Sequence, residues 1–197
     1  MKLLHNRLTA PAVVILTVVA AGGCSSATPT DTPGVDRLGE FILRQKGPEV
    51  EAYLGYRFAS QSIASDWLIL EVALTSPNGQ SADVQRDRVY VRTPDGARIP
   101  LATQEEFGKE HGRLRSTLQK AAVARDPMDY FNPSRQDCGL RFFASPGAGV
   151  VFQELSLNDR RGCQGQLFFR IPGGIQKGRW TFGIELAESD IRIPFTL

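Results

Sequence analysis

Histidine and cysteine are scarce in this 197-residue chain, at two and three respectively. His5 lies in the N-terminal leader, so His111 is the only histidine beyond it. Four-ligand zinc sites draw on paired Cys and His at short spacing, and no such pairing occurs, so no metal and no cofactor is expected. Charge of one sign is also missing. Lys and Arg total 23 and Asp and Glu 21; without Lys2 and Arg7 of the leader the balance is 21 against 21. A neutral chain has no long-range field to gather polyanions, which argues against nucleic acid as a partner. There is no apolar run long enough to cross a bilayer as a helix, for which about 20 residues are needed. The longest, Leu8 to Ala21, is shorter and is interrupted by Thr9, Pro11 and Thr17.

That run has the form of an export signal. A basic start at Lys2 and Arg7 leads into the apolar stretch, which ends in small residues. The ending Ala21-Gly22-Gly23-Cys24 resembles a bacterial lipobox, with Ala21 where the family pattern usually has Leu. The resemblance implies that residues 1–23 are removed and that Cys24 carries a diacylglyceryl group as the first residue of the mature protein. Two acyl chains suffice for stable anchoring, at about 0.8 kcal/mol per buried methylene. Ser25, rather than Asp, follows the cysteine, which in the same resemblance points to the outer rather than the inner membrane. Residues 24–37, rich in Ser, Thr and Pro, read as a flexible tether, and residues 38–197 as one domain. With Cys24 lipidated, Cys138 and Cys163 remain as an even pair in an oxidising compartment. A disulfide between them is expected, worth about 3–4 kcal/mol by loop closure; the alternative is two separate buried thiols.

Hydrophobic periodicity is mostly two. Val50, Ala52, Leu54, Tyr56 and Phe58 fall on one face of a strand. Leu68, Leu70, Val72 and Leu74 fall on one face of a second, with Trp67 and Ile69 on the other, so that strand is expected to be covered on both sides. A third strand is expected over Val84 to Thr93, with Val89 and Val91 inward, and a short return at Ile99 and Leu101. Leu38 to Leu43 is either helical or extended. Later strands are expected at 140–144, 150–157, 165–171, 180–186 and 191–197, separated by Gly and Pro turns. One segment has helical periodicity, 104–124. Thr103 and Glu106 form a capping-box pattern at its start, and Phe107, His111, Leu114, Leu118 and Ala121 make its apolar stripe. About eight short strands and one helix indicate an immunoglobulin-like antiparallel β-sandwich with one inserted edge helix. Met128 to Asp137 reads as irregular.

The segments Trp67–Thr75, Tyr90–Gly96 ending in Pro-Asp-Gly, and Gly165-Gln166-Leu167-Phe168-Phe169-Arg170-Ile171-Pro172 resemble the telokin-like immunoglobulin-fold domains of bacterial lipoproteins. The resemblance covers residues 49–197 and implies a fold and a location, with no agreed activity. The helix and the Cys138–Cys163 pair depart from the common pattern.

No catalytic signature accompanies His111, whose place on an apolar stripe suits a packed histidine better than a general base. Asp126, Asp129 and Asp137 follow no calcium-loop spacing. Ser145-Pro146-Gly147-Ala148-Gly149 precedes β-type sequence rather than a helix, so it reads as a turn and not as a phosphate cradle. Asp159-Arg160-Arg161 reads as a hairpin tip, and Lys109, Arg113 and Lys120 as a solvated helix face. Adjacent aromatics at 142–143 and 168–169 should point to opposite sides of their sheet, the outward rings either covered by the helix or together forming an exposed patch for a partner. The sequence therefore favours a non-catalytic, lipid-anchored binding module for an envelope protein or ligand. A hydrolase with a site near His111, or a purely structural envelope lipoprotein, are the alternatives.

Overall fold

The structure, a computed structural model, describes residues 27–77, 79–128 and 136–197. The leader, Cys24 and Asp129 lie outside them. Among the described residues the chain runs through thirteen strands and two α-helices. They are β1 (Thr28–Pro29), β2 (Val35–Arg37), β3 (Ile42–Lys46), β4 (Glu51–Gly55), α1 (Arg57–Ser60), β5 (Trp67–Thr75), β6 (Ser81–Gln85), β7 (Val89–Arg92), β8 (Arg98–Pro100), α2 (Gln104–Val123), β9 (Gln136–Gly139), β10 (Glu154–Asn158), β11 (Arg161–Arg170), β12 (Arg179–Glu185) and β13 (Asp190–Thr196).

Two sheets face each other. The larger has the order β1-β2-β3-β4-β5-β11-β9 and the smaller β13-β12-β7-β8; β6 and β10 form a separate two-stranded ribbon. Leu68, Leu70, Val72, Leu167 and Phe169 of the large sheet share one core with Val89, Val91, Phe182, Ile184, Ile191 and Ile193 of the small one. Trp180, fully buried there, satisfies its indole N–H on the Gln176 carbonyl at 2.9 Å. A side chain of this size contributes roughly 1.5–3 kcal/mol when buried. The thirty buried residues of this cluster therefore outweigh any single cross-link. The mainly β sandwich expected from the periodicity is present, and α2 forms a third layer on the outer face of the large sheet, over β5 and β11 toward the β9 edge. All nine residues of β5 are buried: on its outer face α2 covers the first part, while Ala73 packs with Tyr53 and Met128. Its even positions face the other sheet, while Trp67 and Ile69 face the helix beside Phe168.

Several boundaries differ from expectation. Part of the segment 24–37 expected as a flexible tether is structured: β1 pairs with β2 and β2 with β3, and Val35 is buried in the sandwich core. A three-residue strand behind a Thr-Pro-Gly turn carries too little periodicity to stand out. The lead-in at Leu38 to Leu43 is neither a helix nor one extended piece: residues 38–41 form the bend that joins β2 to β3, and β3 begins at Ile42. The strand expected over Val50–Phe58 ends at Gly55, and Arg57–Ser60 is a helical turn. The strand expected over Val84–Thr93 divides at a 3-10 turn, Arg86–Arg88. Val84 and Val89 belong to the same core yet have opposite parity, and one regular strand would turn them to opposite faces. No strand forms over 140–144; β9 lies just before it and pairs parallel to β11.

Candidate functional site

The site is built on α2. The capping box forms as its sequence requires: Thr103 Oγ1 accepts from the Glu106 N–H at 3.1 Å, and the Thr103 N–H donates to Glu106 Oε2 at 2.7 Å. This fixes the start of a helix that lays Phe107, Leu114 and Ala121 onto Trp67, Ile69 and Phe168. The segment after β9 runs alongside. Gln104 clamps it by donating from Nε2 to the Ala144 carbonyl at 2.7 Å and accepting from the Ala144 N–H at 3.1 Å. His111 Nε2 lies 3.2 Å from Ser145 Oγ, and its ring meets Phe107 edge-on at 5.5 Å.

Between the helix and this segment lies an open groove of about 330 Å³. Leu118, Ala122 and Arg125 form one wall, and Leu140, Phe143 and Ser145 the other. Its aromatic end is a mutually packed trio. Phe107–Phe168, Phe143–Phe168 and Phe107–Phe143 have ring centroids 4.7, 4.9 and 5.3 Å apart. Phe142 and Phe169 point the other way, into the sandwich; strand alternation divides Phe168 from Phe169 on β11, whereas Phe142 and Phe143 are divided by a turn.

The opposite end is charged. Glu71 occupies the helix-facing side of β5 and is 9% exposed; Asp126, just past α2, is 4% exposed. Arg125 Nε donates to Glu71 Oε1 at 2.9 Å, and Arg57 Nε donates to Asp126 Oδ1 at 2.9 Å. Burial is the largest influence on the Glu71 carboxyl and pushes its pKa upward; the Arg125 guanidinium opposes this, as does the Asp126 backbone N–H it accepts from. The Arg125–Glu71 pair holds the C-terminal end of α2 to β5, and the Arg57–Asp126 pair holds it to α1. Gln166, the cross-strand partner of Glu71, lines the floor between the groove and this cluster.

The groove wall depends on the cysteines. Cys138 and Cys163 are directly opposed on β9 and β11, with Cα atoms 4.3 Å apart, at disulfide-bonding distance. Leu140 follows β9, donates its N–H to the Gln164 carbonyl at 2.9 Å, and packs on Gly165, where a Cβ would lie 3.0 Å from the Leu140 Cβ.

The other residues singled out by sequence have structural surroundings. Asp126 holds Arg57, while Asp137 is exposed on β9. Asp159 accepts from the Gly79 N–H at 2.9 Å, joining two turns. Lys109 pairs with Glu105 at 2.7 Å and Arg113 with Glu110 at 2.6 Å, as on a solvated face. Ser145 closes a turn through its carbonyl and the Ala148 N–H. No group of three or more His, Cys, Asp or Glu among the described residues is placed to hold a metal ion. No helix among them is long and apolar enough to cross a membrane.

Glu71, Arg125, Gln104 and Gln166 were not singled out from the sequence. Glu71 carried the one available signal, a charged residue on the second face of a strand buried on both sides. Compared with protein-family models, curated proteins and solved structures, the chain matches none.

Proposed function

We propose that this chain is a lipid-anchored protein of the bacterial cell envelope, carrying its lipid on Cys24, with a telokin-like, immunoglobulin-type sandwich that serves as a non-catalytic binding module. The observation that carries the binding role is the groove beside α2. An aromatic end, aliphatic walls and a few polar groups (Arg125, Gln166, Ser145) in a cleft of about 330 Å³ match the usual make-up and size of ligand sites. The Ala21–Cys24 pattern supports the anchor and the outer-membrane location. The zero net charge beyond the leader supports an envelope protein or apolar ligand over nucleic acid.

The test is crosslinking of the lipidated protein in its own envelope, followed by capture and mass spectrometry. One dominant partner, lost when Leu118→Glu and Ala122→Glu close the groove, supports the reading. A partner retained by those variants, or none captured, refutes a protein-binding groove.

The His111–Ser145 contact at 3.2 Å favours a second reading, an envelope hydrolase in which Ser145 Oγ attacks an acyl carbonyl while His111 takes its proton. A serine-reactive phosphonate probe would label Ser145 in the unmodified chain and fail to label His111→Ala. Absence of labelling in both removes this reading.

A further inference from the structure

A second concavity, of about 170 Å³, lies on the opposite side of the large sheet, between the β1–β2 hairpin and β13. Two guanidiniums border it, Arg37 from β2 and Arg179 from β12. Neither forms an ion pair with a described residue. Arg37 Nη1 donates to the Glu40 carbonyl at 2.9 Å and to the Tyr56 hydroxyl at 3.3 Å, which leaves Nε and Nη2 uncommitted among the described residues. Arg179 Nη2 donates to Thr32 Oγ1 at 3.3 Å, which leaves Nε and Nη1. Hydroxyls of Thr30, Thr32 and Tyr56 stand alongside, and Asp31 is the one acidic residue in the lining. Two arginines against one carboxylate leave the cleft positive in a domain that is otherwise neutral.

We infer that this cleft binds the phosphate of an anionic lipid headgroup, so that the domain rests on the membrane through Arg37 and Arg179. Guanidinium forks match phosphate oxygens in geometry and charge. The place of the cleft favours the membrane as the source, and here the inference rests on the lipid-anchor reading. The chain from residue 24 to residue 30 spans at most about 20 Å when extended, so an anchor at Cys24 holds the cleft within reach of the headgroups. A short tether also raises the effective concentration of the surface, so a weak site suffices.

The experiment separates the site from the anchor. The chain from residue 24, carrying Cys24→Ser and so no lipid, retains a complete core, since every core residue lies at Val35 or beyond. Its binding to vesicles of mixed phosphatidylglycerol and phosphatidylcholine is compared with binding to phosphatidylcholine alone by co-sedimentation. Binding to the anionic vesicles that weakens with salt, and weakens about thirty-fold in Arg37→Gln/Arg179→Gln, is expected; this corresponds to about 1 kcal/mol per arginine near an anionic surface. The double variant should keep the parent melting temperature, since both side chains are exposed. A control that removes equal charge elsewhere, Arg92→Gln/Arg115→Gln, should change binding less than about three-fold.

Equal losses in the two double variants, or no preference for anionic vesicles, would overturn the site. Inorganic phosphate binding that depends on both arginines, without vesicle binding, would overturn the lipid assignment. Whether native Cys24 carries lipid is read separately from the mass of the mature N-terminal peptide, so failure of the anchor is distinguishable from failure of the cleft.

Discussion

Removing the cross-link between β9 and β11 tests how the groove wall is held. The paired cysteines are separated by 25 residues. Loop-closure entropy for a loop of that length gives about 3.5 kcal/mol of stabilisation at 25 °C. The double variant Cys138→Ala/Cys163→Ala should therefore unfold at lower urea. With a slope near 2 kcal/mol per molar for a domain of this size, the midpoint falls by about 1.5–2 M. Part of any loss in the variant is packing, because Cys163 is fully buried in the core. Reduction of the unmodified chain removes the bond and keeps both sulfurs, so comparing the two separates cross-link from packing. The structure adds a local expectation. β9 is held by a four-residue parallel ladder to β11, and Leu140 by one further backbone hydrogen bond to Gln164. Amide exchange at Leu140 and along β9 should accelerate on reduction more than exchange in β12 or β13. A midpoint shift below about 0.5 M, or uniform acceleration throughout the sandwich, would refute the claim that the cross-link holds this wall.

Three further outcomes follow from the residues around α2. Thr103→Ala removes the cap acceptor for the Glu106 N–H and should lower stability by about 1 kcal/mol, measured by chemical denaturation. Gly55→Ala would place a Cβ 2.8 Å from Met128 Cε and 3.1 Å from Asp126 Oδ2. It should cost about 1–3 kcal/mol through overpacking, with the Arg57–Asp126 pair displaced in a structure of the variant. The Glu71 carboxyl has its pKa raised by burial above its ordinary value of 4.5. Its contribution to stability is therefore fully present below that value and is lost as pH rises through the raised folded value. The stability of the unmodified chain relative to Glu71→Gln should fall across that window in denaturation at a series of pH values; a rise would contradict the burial argument.

The sandwich was legible where one face of a strand meets a core and the other does not. β13, expected over 191–197, alternates cleanly, with Ile191, Ile193 and Phe195 buried between exposed or half-buried neighbours. Strand β5 showed its double burial through Trp67 and Ile69, and α2 declared itself through its cap and its stripe. Legibility failed where elements are too short for a period to repeat, as at β2, or where parity changes within an apolar run, as between Val84 and Val89. His111 stands beside Phe107 on the helix, half-exposed and outside the buried cluster that the rest of the stripe forms. Its contact with Ser145 brings together residues 34 positions apart, which no local pattern encodes.

By itself the sequence determined the class of fold, and the one long helix and its start. Both follow from local chemistry, alternation of side chains and a capping box; the pairing of Cys138 with Cys163 was an expectation that set Cys24 aside as the lipid carrier, and the opposition of β9 and β11 places the two at disulfide-bonding distance. The tertiary structure alone decided what α2 covers, and therefore where a groove exists. Glu71 and Arg125, 54 residues apart, meet only because the helix crosses β5, and Arg37 and Arg179 border one cleft only because the β1–β2 hairpin lies beside β13. Both sites are made by side chains distant in sequence. Their meeting is fixed by sheet order and layer packing, long-range choices that no single stretch of residues specifies.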